Sequence, residues 1–146
     1  MNRKGMTLIE LIIVMVIVGI GATLLAPGIG AWLPTYRLKS GTRDFVSAMR
    51  VAQLRAISTN TTHRVSFDLG TGSYVLQRDS GGIFVDDEVT GSLPGGVQFK
   101  SATFGGGIVD FFANSTSLNG NISLRNTKGA EKTIRVSGLT GRIKIE

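Results

Sequence analysis

The chain has no cysteine and only one histidine, and these two shortages remove much of the chemistry open to a small protein. Without thiols there is no disulfide, no thiolate nucleophile and no sulfur-ligated metal, so the redox compartment cannot be read. A relay built from His63, Ser66 and Asp68 would use strand positions whose side chains alternate between faces. His63 is therefore expected to be structural, and the chain is not expected to be an enzyme. Phosphate-cradling motifs are also missing, since no glycine cluster is followed by Gly-Lys-Ser/Thr or by a third spaced glycine. Acidic residues number 10 against 16 basic ones. The one acidic cluster, Asp86-Asp87-Glu88, has no further oxygen ligands in register and reads as a solvated loop rather than a calcium site. No cofactor and no metal are expected.

What the chain has in excess is apolar character concentrated at one end. At 146 residues there is material for only one modest globular domain, and 42% hydrophobic residues exceeds what such a domain needs. From Leu11 to Ala26 the sequence is almost entirely apolar, and with Met6 to Glu10 it reaches the roughly 20 residues that cross a bilayer as a helix. Arg3 and Lys4 precede the run, and no comparable basic cluster follows until Arg37 and Lys39. The amino terminus is thus expected inside and the remainder outside the cytoplasm. A secretory signal peptide fits poorly: the run is too long, no small-x-small site ends it, and Pro27 follows Ala26. A simple single-span anchor, with Trp32 and Tyr36 at the interface, accounts for everything except Glu10. That carboxylate lies within otherwise hydrocarbon-compatible sequence, where an acid is costly and marks function, with a cationic partner expected.

Gly5-Met6-Thr7-Leu8-Ile9-Glu10 resembles the processing signal of type IV prepilins and type II secretion pseudopilins. The resemblance implies that a prepilin peptidase cuts after Gly5 and methylates the new amino terminus at Met6, where the family usually has Phe. It also implies that Glu10 neutralises the terminal amine of a neighbouring subunit as subunits stack. Hydrocarbon would otherwise leave both charges uncompensated.

Beyond the run, Pro27 with Gly28 and Gly30 is expected to kink or loosen the helix, and Pro34 is a further interruption. From Tyr36 to Ile57 the apolar positions Leu38, Phe45, Met49, Ala52 and Ile57 recur at mostly helical spacing, with Arg37, Lys39, Arg43, Arg50 and Arg55 between them. One face should pack on the rest of the protein. A helix from Thr7 to Ile57 would be roughly 75 Å long.

From Thr61 the pattern switches to period two. Val65, Phe67 and Leu69 alternate with polar residues, and Gly70-Thr71-Gly72 leads into Tyr74-Val75-Leu76, a hairpin. Further strands are expected at 97–99, 108–112, 122–125, 132–136 and 142–145, with mobile glycine-bearing loops at Gly81-Gly82, Gly95-Gly96 and Gly105-Gly106-Gly107. The fold class is therefore α+β: a long amino-terminal helix, membrane-spanning and then amphipathic, packed on an antiparallel β-sheet or sandwich. Its expected parts are a cleaved leader 1–5, a polymerisation helix 6–30, an amphipathic helix 31–60 and a periplasmic β-rich head 61–146.

Within the pilin-like families, the stretch 43–60, the strand Arg64-Val65-Ser66-Phe67 and the ending Ile134 to Ile145 are similar to the GspH/FimT-type minor pseudopilins and minor pilins. That similarity implies a structural subunit of a secretion pseudopilus or a type IV pilus, one that primes assembly or sits near the tip. Its implied partners are prepilin peptidase, other major and minor subunits, and inner-membrane lipid.

The carboxy-terminal strands add an alternative. Ile134, Val136, Ile143 and Ile145 point one way, which sends Arg135, Arg142 and Lys144 to the opposite face with Arg125 as a neighbour. A basic patch of this kind binds phosphates without reading sequence. It is similar to the Gly-Arg-x-Arg element of DNA-binding FimT-type minor pilins of natural transformation, with Lys144 in place of the last arginine. Lysine keeps the charge but loses the planar fork, and exposed strands carry such residues simply to discourage edge pairing. Filament structure and DNA uptake both stand open from the sequence.

Overall fold

The computed structural model describes the backbone of residues 7–146 and every side chain among them except those of 24–29, 31 and 88. The expected leader 1–5 and Met6 lie outside the described residues. Helix α1 (Leu8–Thr59) comes first, and neither Pro27 nor Pro34 ends it. Eight strands follow: β1 (His63–Phe67), β2 (Ser73–Asp79), β3 (Phe84–Ser92), β4 (Val97–Ala102), β5 (Ile108–Phe111), β6 (Gly120–Asn126), β7 (Glu131–Val136) and β8 (Ile143–Ile145). The chain divides into two compact units, Met1–Leu33 and Pro34–Glu146.

In the first unit the helix is apolar all round. Every large apolar side chain from Leu8 to Ile20 leaves at least half of its surface exposed, a pattern that needs a cover of lipid or of other helices. Among the described residues no helix is long and apolar enough to cross a membrane. The described side chains of the run stop at Thr23, so the expected extension through Ala26 lies outside them.

The second unit is built on the amphipathic part of α1. Leu38, Thr42, Phe45, Met49, Ala52 and Ala56 are buried at helical spacing, so one stripe of the helix meets the strands. Ile57, expected on this stripe, is 45% exposed and Ala56 is fully buried in its place. At 100° per residue, position 56 stays in line with 45, 49 and 52, and position 57 does not. Thr42 is accommodated by donating its hydroxyl to the Leu38 carbonyl at 2.6 Å, which satisfies its buried oxygen.

The strands form two four-stranded antiparallel sheets, ordered β3-β2-β1-β5 and β4-β6-β7-β8. Phe45 of α1 joins them. Its ring meets Phe67 and Tyr74 of the first sheet edge-on at centroid distances of 5.5 and 5.1 Å, and Phe99 of the second at 5.0 Å. Such edge-to-face pairs contribute about 0.5–1.5 kcal/mol each beyond burial. Val65, Leu76, Val109, Ile122, Leu124, Ile134 and Val136 complete a single core.

Several sequence expectations are corrected here. The acids 86–88 lie on strand β3 and not in a solvated loop. Asp87 pairs with Arg55 of α1, and Asp86 accepts a bond from the Gln77 side-chain amide at 2.8 Å. No cluster among the described residues is arranged to hold a metal. Leu69 lies past the end of β1 and is exposed. The glycines 105–107 form a 3-10 turn rather than a long loop. Within it Gly107 is buried at φ +67°, and a Cβ there would come within 2.2 Å of the Phe67 carbonyl oxygen.

Candidate functional site

Two regions carry the residues singled out by the sequence: the start of α1 and the outer face of the second sheet. At the helix start, Thr7 and Glu10 bond to each other reciprocally. The Glu10 amide donates to the Thr7 hydroxyl oxygen at 3.4 Å, while the Glu10 carboxylate accepts from both the Thr7 amide and the Thr7 hydroxyl at 3.3 Å. This is a capping box, satisfying amides that helix geometry leaves without partners. A carboxylate in the first turn also suits the positive end of the helix dipole. Glu10 is exposed, with Leu8, Ile9, Leu11 and Ile12 around it equally open. The arrangement is an acid held by Thr7 in the first turn of an apolar helix segment. Gly5 and Met6 lie outside the described residues.

The second region is the outward face of β6, β7 and β8. Alternation places Ile134 and Val136 in the core, fully buried, with Ile143 nearly so, and turns Arg135 and Lys144 outward as direct cross-strand partners. Ile145, expected inward as well, is 37% exposed at the sheet edge. Arg142 precedes β8 and so sits in the connecting turn, not on the strand. Arg125 faces outward on β6 opposite Glu131.

The face is not uniformly basic. The Glu146 carboxylate lies 3.2 Å from the Arg135 guanidinium and 4.0 Å from the Lys144 ammonium. Glu131 takes Lys100 at 2.8 Å and Arg125 at 3.9 Å. Of the four basic residues proposed for this face, only Arg142 has no ion pair among the described residues. Glu131 and Glu146 carry no signal in the sequence pattern, because their effect depends on cross-strand register. Both are exposed, so their pairs stabilise little, but they do lower the positive potential that a phosphate would meet.

His63 is buried at 2% exposure on the core side of β1, with Nδ1 3.2 Å from the Thr61 carbonyl oxygen. Ser66 lies on the opposite side of the strand and Asp68 beyond its end, so the structure does not bring the three together. Asp68 instead accepts bonds from the Gly70 and Thr71 amides in the hairpin turn, and these hold its carboxyl below the ordinary carboxylate range. On the outer face of the first sheet, Arg64 forms a two-bond pair with Asp110 at 2.6 and 3.0 Å and stacks over the Phe84 ring at 3.6 Å. The Asp110 bonds outweigh the burial of Arg64 and raise its pKa. This cluster ties β1, β3 and β5 together and presents no reactive group.

Comparison with known proteins gives matches at both ends of the chain. Residues 1–26 match the prokaryotic N-terminal methylation motif, and residues 41–140 match the family described as type II transport protein GspH. No curated protein sequence matches significantly. Among solved structures, the minor pseudopilin EpsH of the Vibrio cholerae type 2 secretion system is similar with a TM-score of 0.64 at 12% identity, over 75% of this chain and 96% of that one. The Pseudomonas aeruginosa type IV minor pilin FimU is similar with a TM-score of 0.63 at 15% identity, over 77% and 90%. The solution structure of Escherichia coli GspH gives 0.61 at 13% identity, over 76% and 88%. At these identities the likeness is one of fold.

Proposed function

The chain belongs to the GspH family of type II transport proteins, and from that premise we propose that it is a structural subunit that primes, or sits near the tip of, a type II secretion pseudopilus or a type IV pilus. It is made as a precursor with its leader in the cytoplasm. Prepilin peptidase removes residues 1–5 after Gly5 and methylates Met6. The apolar helix then holds the subunit in the inner membrane, with the β-rich head in the periplasm.

The observation that carries this reading is Glu10, a carboxylate held by Thr7 in the first turn of a helix whose large apolar side chains from Leu8 to Ile20 are open on every side. Lipid or neighbouring helices can cover those side chains, but only a cation compensates the acid. Cleavage after Gly5 creates such a cation, the Met6 amine, on every subunit. Pairing Glu10 with the amine of a neighbour fixes the axial register of helices that apolar contacts alone would let slide.

The test is mass spectrometry of the protein recovered from membranes of cells that contain a prepilin peptidase. The mature chain should begin with N-methylated Met6, and Gly5→Leu should leave the leader attached. An unprocessed wild-type chain would contradict the reading. DNA uptake is the weaker alternative, because Glu131 and Glu146 stand among the cations it would use.

A further inference from the structure

Strand β8 is the outer edge of the second sheet, and the hydrogen-bond ladder decides which backbone groups that edge offers. Thr133 and Glu146 exchange both amide bonds, at 2.8 and 3.2 Å, and the Ser137 amide donates to the Arg142 carbonyl at 3.0 Å. In an antiparallel ladder the bonding direction alternates along the strand, so Lys144 turns its amide and carbonyl toward β7. Ile143 and Ile145 turn theirs off the sheet, where no backbone partner meets them among the described residues.

Beside this edge lies a groove of about 450 Å³ between α1 and β8, with Leu38, Thr42 and Ile145 along it. Lys39, Arg43 and Lys132 also line it. All three are exposed, and none forms an ion pair among the described residues. The one acid in the groove, Glu131, is already engaged by Lys100. An open row of amides and carbonyls, an apolar floor and uncompensated positive charge thus occur side by side.

We propose that the β8 edge is a strand-addition site that takes an extended segment, alternating apolar and acidic residues, from a neighbouring filament subunit. The backbone of that segment pairs with Ile143 and Ile145. Period-two alternation lays its apolar side chains over Leu38 and Ile145 and turns its carboxylates to Lys144, whose ammonium the Glu146 carboxylate reaches only at 4.0 Å. At the mouth of the groove Lys39 and Arg43 meet a further acid. Lysine on an edge repels indiscriminate pairing, and the same charge selects an acidic strand. An anionic lipid headgroup would satisfy the cations but leave the isoleucine amides unused, which favours a peptide. The partner's identity rests on the reading of the chain as a filament subunit, whereas binding can be measured without any filament.

Isothermal titration of the full chain in detergent micelles tests the proposal, using an eight-residue peptide of alternating valine and glutamate that ends in two consecutive glutamates, so that one of them faces Lys39 and Arg43, and its valine–lysine counterpart. Ile145→Pro removes an amide that points off the sheet, a position where an edge strand tolerates proline, and leaves the β7 bonds in place. The glutamate peptide should bind, lose at least tenfold in affinity in Ile145→Pro, and lose as much in the double variant Lys39→Glu with Arg43→Glu. The lysine peptide should not bind. Equal binding of both peptides, or undiminished binding by a folded Ile145→Pro protein, overturns the proposal. So does self-association of the chain that Ile145→Pro abolishes without any peptide binding, which would give the edge to a second copy, and so does binding of anionic vesicles alone. If Ile145→Pro fails to fold, the charge-reversed variant decides.

Discussion

Glu146 pairs with Arg135 across β8 and β7, carboxylate to guanidinium at 3.2 Å. With Glu131 between Lys100 and Arg125, it makes the outer face of the second sheet a lattice of alternating charge rather than a basic plate.

Double-stranded DNA binding by the full chain in micelles is therefore expected to be weak and to fade steeply with salt. Glu131→Gln with Glu146→Gln should strengthen it on the order of tenfold at low salt, and Arg142→Ala should remove most of what the wild type shows. Fluorescence anisotropy across a salt series measures both. Tight wild-type binding that the acid-neutralised variant does not improve would make the carboxy-terminal face a DNA site.

Phe45 bridges the two sheets, so its removal should be felt by both. Phe45→Ala is expected to cost about 3–5 kcal/mol, and Phe45→Leu much less because most of the volume remains. Chemical denaturation followed by tryptophan-independent circular dichroism gives the two values. A loss below about 1 kcal/mol for alanine would show that the core closes without this ring.

Gly107 is held at φ +67° with the Phe67 carbonyl oxygen where a Cβ would sit. Gly107→Ala should therefore destabilise by about 1–3 kcal/mol through left-handed strain and by more through the clash. Gly81→Ala, also at positive φ but with open space around it, should show the strain alone. Equal thermal shifts for the two variants would contradict the packing described at Gly107.

Much of this was legible in the sequence. Seven of the eight strands follow from period-two runs such as His63–Phe67 and Lys132–Val136, because alternation is the signature of a half-buried strand. Strand β3 escaped because Asp86, Asp87 and Glu88 interrupt its apolar pattern. It is an edge strand with one neighbour, so fewer of its side chains need to be apolar. On α1 the apolar pattern includes Ile57, whereas phase along the helix buries Ala56 instead. The Thr7-x-x-Glu10 spacing is itself a readable capping signature. The role of Glu131 and Glu146 was not readable, because it arises only once β6, β7 and β8 are in register.

Tyr74 provides a pH test of the core. Burial, reinforced by the Asp44 carboxylate, raises its phenol above the ordinary value of 10.0. A raised pKa means that the folded state favours the neutral phenol. The resulting stability is complete below pH 10 and is lost as pH climbs through the raised value. The urea midpoint should fall above about pH 10, and Tyr74→Phe should fall less over the same interval. Parallel profiles would show that Tyr74 does not contribute to the alkaline loss.

The central claim is that Glu10 exists to place this chain in a filament. It is tested most directly by expressing Glu10→Leu beside the wild type in cells that assemble the filament and measuring the share of each in sheared filaments against membranes. The account predicts that the leucine variant is processed at Gly5 and retained in the membrane but reaches filaments at less than a tenth of the wild-type level. Incorporation of Glu10→Leu at the wild-type level would contradict it and leave the helix as a simple anchor.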